Sequence, residues 1–225
     1  MVTDKILALV FDWAEVWALL IPSAILVRFR KQPPLYNLIA AYVWLSLAIN
    51  LVIDLTWKLR TLLPPHLNSN NYLYNTHSVV TFVLFSTFFL KLNQPFLQTF
   101  KKVIPVIFLA FLGINFSFFE SFFDYWKFSS RLLAIEAGLL LVYCLLYYFY
   151  KVKDENEMLH KHQPDFWIVT GLGIYVAVNF FIFLLYNELT VLTSQFAVQI
   201  WNVHNISYVV LNLFLARGLY ESRCK

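Results

Sequence analysis

Seven stretches of mostly apolar residues, near 11–29, 36–57, 72–91, 103–120, 132–150, 166–187 and 196–216, take up almost the whole chain. Each is close to the ~20 residues that an α-helix needs to cross a hydrocarbon core. Little is left over for a soluble domain, and with only 13% charged residues the composition is that of a chain living in a bilayer. Barrel strands would alternate in polarity over about ten residues, whereas "AIEAGLLLVYCLLYYFY" is continuously apolar. The expected fold is therefore an all-α membrane protein, a single seven-helix transmembrane bundle over residues 1–225, since helices satisfy their own backbone groups in lipid.

The breaks between stretches, such as "RFRKQPP", "KLRTLLPPHLNSNN" and "KVKDENEMLHKHQP", combine charge with Pro and Asn and read as short loops. Their charge sets the orientation. One side holds twelve basic residues, Arg28, Arg30, Lys31, Lys91, Lys101, Lys102, Lys151, Lys153, Lys161, Arg217, Arg223 and Lys225; the other holds five, Lys5, Lys58, Arg60, Lys127 and Arg131. The positive-inside rule then places the N-terminus outside and the C-terminus in the cytoplasm, as a multi-pass protein of the inner membrane. The net charge of +4 is accounted for by topology, so nucleic acid is not an expected partner. Asp12 and Glu15 in the first stretch, with no small-residue cleavage site after it, argue for a retained helix rather than a signal peptide.

No CxxC, HExxH, P-loop or GxSxG pattern occurs, so no catalytic residue, cofactor or metal is read from motifs and the chain is not read as an enzyme. Cys144 lies in a helix and Cys224 in the tail, which makes a disulfide between them unexpected.

An internal match is the most informative pattern. "YNTHSVVTFVL" at 74–84 aligns with "WNVHNISYVVL" at 201–211, pairing Asn75 with Asn202 and His77 with His204. Further matches pair Asn50 with Asn179 and Glu15 with Glu136, in the same helix order. The arrangement predicts 3+1+3: one repeat over about 11–91, a linker helix over about 103–120 and a second repeat over about 132–216. Three spans, an odd number, lie between each helix and its counterpart, so the copies would be parallel, related by an axis along the membrane normal.

At 100° per residue, polar side chains fall into single stripes. Ser46, Asn50, Asp54 and Trp57 share a face of the second helix; Asn71, Tyr74, His77, Ser78 and Thr81 share one on the third. Glu136, Tyr143, Tyr147 and Tyr150 line the fifth; Tyr175, Asn179 and Tyr186 the sixth; His204, Asn205, Tyr208 and Asn212 the seventh. Polar groups facing lipid cost several kcal/mol, so the stripes should converge on a cavity in the outer half of the membrane. The expected ligand-binding residues are Asn50, Asp54, Asn75, His77, Glu136, Tyr175, Asn179, Asn202, His204 and Tyr208. Each polar residue has a plainer role as interhelical glue, and Asp54 has Lys58 one turn later as a surface ion-pair partner. His77, His204, Asp54 and Glu136 are suitable ligand types for Zn²⁺, but one histidine per helix is not a metal-site spacing.

The stretches "NNYLYNTHSVVTF", "PDFWIVTGLGIYVAVNFFIFLLYN" and "WNVHNISYVVLN", with Glu136 between them, resemble a seven-helix membrane protein family common in Bacteroidota, over nearly the whole chain. Many members carry an acidic residue before the phenylalanine of the third helix, where this chain has Thr81; the family implies the fold and no particular activity. The 3+1+3 pattern also resembles the PQ-loop and SWEET carriers. Those have Pro-Gln pairs on the first helix of each repeat, whereas here Pro22 is followed by Ser23 and the fifth helix has no proline. The combined expectation is a receptor or sensor that binds a small ligand in an outward cavity and passes the signal to a cytoplasmic partner. A small-solute carrier is the alternative, and a metal-dependent intramembrane hydrolase the third reading. Retinal chemistry is disfavoured, since residues 195–216 contain no lysine for a Schiff base.

Overall fold

The structure, a computed structural model, describes residues 9–64, 69–92, 94, 97–124, 129–153, 163–186 and 194–223. Lys5, Lys127, Lys161, Cys224 and Lys225 lie outside the described residues. Among the described residues, these α-helices lie on the apolar stretches: α1 Ala14–Arg28, α2 Asn37–Lys58, α3 Asn71–Lys91, α4 Gln98–Ile114, α5 Ser130–Lys153, α6 Pro164–Leu184 and α7 Ser194–Ser222. A π-helical segment, Asn115–Phe119, continues α4, and no strand occurs among the described residues. Five helices, α2, α3, α4 with its π segment, α5 and α6, are long and apolar enough to cross a membrane. The other two depart for physical reasons. α1 has 15 residues, because a turn at Trp13 separates it from the helical residues 9–12. α7 has 29 residues but carries Asn202, His204, Asn205, Ser207 and Asn212.

Six helices close a ring. α1 packs on α2 and α7, α2 on α3, α3 on α5, α5 on α6, and α6 on α7. α4 lies outside, resting on α3 and α5; only 17% of its apolar window is buried, against 33–50% for the other four spans. The core inside the ring is aromatic and aliphatic, with Tyr42, Phe85, Phe88, Phe89, Tyr143 and Tyr147 all essentially inaccessible.

Helix α6 seats tightly on α7 because glycine lets the backbones approach. A Cβ on Gly171 would come within 2.4 Å of Phe214 Cβ, and one on Gly218 within 2.6 Å of Ile168 Cγ1 and 2.9 Å of the Pro164 carbonyl oxygen. Small residues thus fix one side of the ring.

Proline fixes the outlier. Pro105 inside α4 has no N–H to donate to the carbonyl of Lys101, four residues earlier. The hydroxyl of Tyr143 on α5 donates to that carbonyl instead, at 2.8 Å, and sits 3.2 Å from the Ser86 hydroxyl on α3. The Tyr143 ring stacks on Phe89 at 4.9 Å. A single tyrosine therefore joins α3, α4 and α5 by filling the gap that proline opens.

Replacing Tyr143 by Phe should lower thermal stability in detergent by about 1–3 kcal/mol, the cost of a buried acceptor left unpaired. Adding Pro105→Ala restores a backbone donor and should recover at least half of that loss. Additive losses in the double-mutant cycle would contradict this account of how α4 is held.

Candidate functional site

The polar stripes meet inside the ring as a small chamber. Its lining includes Glu15 from α1, Asn50 from α2, His77, Ser78 and Thr81 from α3, Glu136 from α5, Tyr175 and Asn179 from α6, and His204 and Tyr208 from α7. The spacing explains the convergence: Tyr74, His77, Ser78 and Thr81 recur at i, i+3, i+4 and i+7, as do Trp201, His204, Asn205 and Tyr208 on α7.

Asn179 is the hub. Its side-chain amide donates to the Tyr175 carbonyl at 2.8 Å and to the Ser207 hydroxyl at 2.9 Å, and its Oδ1 lies 2.5 Å from His204 Nδ1. The other imidazole nitrogen, Nε2, lies 3.5 Å from a carboxylate oxygen of Glu15. One polar line thus runs from α6 through α7 to α1. Trp201, Phe183, Tyr175 and Tyr208 surround the His204 ring, with centroids 5.0 to 6.3 Å away. Across the ring, the Asn50 amide donates to the Tyr208 hydroxyl at 3.1 Å, and His77 Nε2 meets the Ser46 hydroxyl at 3.0 Å.

The chamber measures about 30 Å³, enough for roughly two water molecules at about 10–15 Å³ each. Thr81, 3% exposed, lines it with a hydroxyl that has no protein partner.

A second cavity of about 470 Å³ opens at the end of the bundle where α2 and α6 finish and α3 and α7 begin. Asp12, Asp54, Trp57, Lys58, Asn70, Asn71, Tyr186, Asn202 and Asn205 line this vestibule. Tyr74 and Trp201 line both cavities and meet edge to face, with ring centroids 5.7 Å apart at 87°. They form the partition between vestibule and chamber. Towards the opposite end the chamber is closed by buried aromatic rings, Tyr42 against Phe85 at 4.7 Å and Phe89 against Tyr143 at 4.9 Å.

Of the ten residues expected from the sequence, Asn50, His77, Glu136, Tyr175, Asn179, His204 and Tyr208 line the chamber, and Asp54 and Asn202 line the vestibule. Asn75 lines neither; its amide donates to the Phe122 carbonyl at 2.8 Å and ties α3 to the segment after the π helix. Periodicity accounts for this. Residues two apart on a helix point about 200° away from each other, so Asn75 cannot share a cavity with His77, and Asn202 turns from His204 to the vestibule. The sequence reading left out Tyr74 and Trp201 as site residues, although both lie in register with the histidine stripes. It also offered Lys58 as the partner of Asp54. Instead Lys58 reaches Asp12 at 3.2 Å, and Asp54 keeps an inaccessible oxygen with no hydrogen-bond partner.

Among the described residues no three His, Cys, Asp or Glu side chains come together as a metal-ligand group. No protein-family model, curated protein or solved structure matches the chain.

Removing the hub should be costly for a nameable reason. Asn179→Leu leaves His204 Nδ1 without a partner, while the Ser207 hydroxyl keeps its bond to the His204 carbonyl at 2.7 Å, and should destabilise by about 1–3 kcal/mol. Combining it with His204→Leu, which removes the stranded imidazole, should cost less than the sum of the two single changes when thermal unfolding is followed in detergent. Strict additivity would mean that the contact contributes nothing.

Proposed function

We propose that the chain is a seven-span protein of the inner membrane that binds a small ligand at its outer face and acts as a receptor or sensor. The observation that carries this reading is the vestibule of about 470 Å³, which adjoins a polar chamber across two aromatic side chains while the far end is closed by stacked rings. A volume in that range suits a small-molecule site, since such pockets span roughly 300–1,000 Å³.

Orientation follows from charge. Among the described residues, Arg28, Arg30, Lys31, Lys91, Lys101, Lys102, Lys151, Lys153, Arg217 and Arg223 lie toward the end opposite the vestibule, and Lys58, Arg60 and Arg131 toward the vestibule end. The excess of basic residues at the far end supports a cytoplasmic location for it and an outward vestibule. The 3+1+3 duplication is supported by Glu15 and Glu136, Asn50 and Asn179, and His77 and His204, which line the same chamber as three matched pairs. The ring order agrees, because exchanging α1, α2 and α3 for α5, α6 and α7 maps the ring's neighbours onto one another.

Ligand occupancy would be felt first at Tyr74 and Trp201 and then by the line from His204 to Glu15, which reaches three helices. The signal would leave through a separate cytoplasmic partner docked at the basic end. A carrier built on the same cavity would have to part the rings at Phe85, Phe89 and Tyr143 to let solute through.

Cysteines introduced at Asn70 and Asn202 should react with a membrane-impermeant thiol reagent from outside, and cysteines at Arg30 and Lys153 should not; the reverse pattern would overturn the orientation. A compound that stabilises the wild-type protein in nanodiscs should fail to stabilise an Asn202→Trp variant, whose larger side chain would fill the vestibule. Uptake of that compound into proteoliposomes would replace the sensor by a carrier.

A further inference from the structure

We infer that the groove between the C-terminal end of α1 and the N-terminal end of α2, on the outer surface of the ring, seats an anionic phospholipid of the leaflet at the basic end of the bundle. The inference needs only that these helices lie in a membrane, and it is independent of the vestibule.

The groove has a volume of about 260 Å³. Arg30, Gln32 and Asn37 form its polar end, and Leu26, Val27 and Trp44 its apolar wall. Arg30 lies two residues beyond the end of α1 and Asn37 opens α2, so the polar groups mark the level at which both helices leave the apolar layer. Trp44 lies seven residues further along α2, roughly 10 Å deeper at a rise of about 1.5 Å per residue. Asn37, Ala40 and Trp44 follow one another at i, i+3 and i+7 along one helix face. A ligand in the groove therefore runs from a polar head to an apolar body, in the direction in which a phospholipid presents its phosphate and its acyl chains.

These surfaces are open. Val27 is 59% and Trp44 45% exposed, and Arg30 and Asn37 are exposed as well. Arg30 is also uncommitted. Its neighbours Arg28 and Arg223 lie against the Phe29 ring and Arg217 pairs with Glu221, whereas Arg30 enters no ion pair or ring contact among the described residues. A guanidinium matches a phosphate with two parallel hydrogen bonds, and basic pockets between membrane helices take acidic head groups. Among the described residues no carboxylate lines the groove, so the ammonium of a zwitterionic head group finds no counter-charge there. Gln32 holds the polar end in shape: its amide donates to the Phe29 carbonyl at 3.0 Å and its Oε1 accepts from the Ser222 hydroxyl of α7. An apolar wall contributes nothing to a free phosphate, while an indole just below the head-group level anchors a lipid.

The test is native mass spectrometry of the full chain in detergent, titrated with dioleoyl phosphatidylglycerol, dioleoyl phosphatidylcholine or glycerol phosphate. Phosphatidylglycerol should bind at least fivefold more tightly than phosphatidylcholine, and glycerol phosphate should not displace it. Arg30→Gln should weaken phosphatidylglycerol about tenfold, as loss of a charge-assisted bond implies, and Trp44→Ala by a smaller factor. Lys31→Gln removes the same charge from an exposed neighbour that does not line the groove and should change the affinity less than twofold. All three side chains are exposed, so the variants should unfold at the wild-type temperature without added lipid. Equal losses in Lys31→Gln and Arg30→Gln would replace the site by general attraction to a basic surface. Equal binding of phosphatidylcholine overturns the head-group assignment, and displacement by glycerol phosphate makes the groove a free-phosphate site instead. A dimer in lipid-free detergent that Trp44→Ala dissociates would give the groove to a second copy of the chain and overturn the proposal as well.

Discussion

The bundle is organised by the cost of an unpaired polar group in a medium that offers no water. Two imidazoles, two carboxylates and two amides line one chamber among the helices, where they find partners or face a polar cavity. The contact between Asn179 and His204 meets part of this demand. Through it Ser207 and the Tyr175 carbonyl on one side, and Glu15 on the other, are drawn into one line across α6, α7 and α1. The stripes of α2, α3 and α5 face the same interior, so the six-helix ring is the arrangement in which every stripe turns away from lipid.

Two local devices then decide which parts of the ring are held and which are joined loosely. The glycines at 171 and 218 let α6 and α7 approach so closely that neither position has room for a Cβ. On the opposite side, Pro105 creates an orphan carbonyl and Tyr143 takes it up, so α4 is held by that side chain together with the packing of Ile104 and Phe108. The vestibule lies between the ends of α2, α3 and α7, and its partition is a single edge-to-face ring pair. A site that must respond to a ligand is better placed at such a contact than at a glycine seam.

Much of this was legible in the sequence because membrane helices obey two simple rules, length and the cost of exposed polarity. The seven apolar stretches and the inward stripes follow from those rules, and the pairing of His77 with His204 anticipates residues that line one chamber. The misplacements come from steps that one sequence does not encode. Asn75 looked like a site residue because it pairs with Asn202 in the internal match, but a shift of two residues from His77 turns it to the far side of α3. The partner of Lys58 is Asp12, brought in from the segment before α1, and no local spacing rule finds a contact across 46 residues. Tyr74 and Trp201 were readable as stripe members; their meeting as a partition depends on the ring closing, which is a property of the tertiary structure.

The central claim is that the polar chamber communicates with the outside through the contact of Tyr74 with Trp201. It is tested most directly by the accessibility of a cysteine at Thr81 to an impermeant thiol reagent, in a background where Cys144 and Cys224 are replaced by alanine. The account predicts protection when Trp201 is intact and labelling from the outer face in the Trp201→Ala variant. Labelling from the cytoplasmic face, or protection in both proteins, would contradict it.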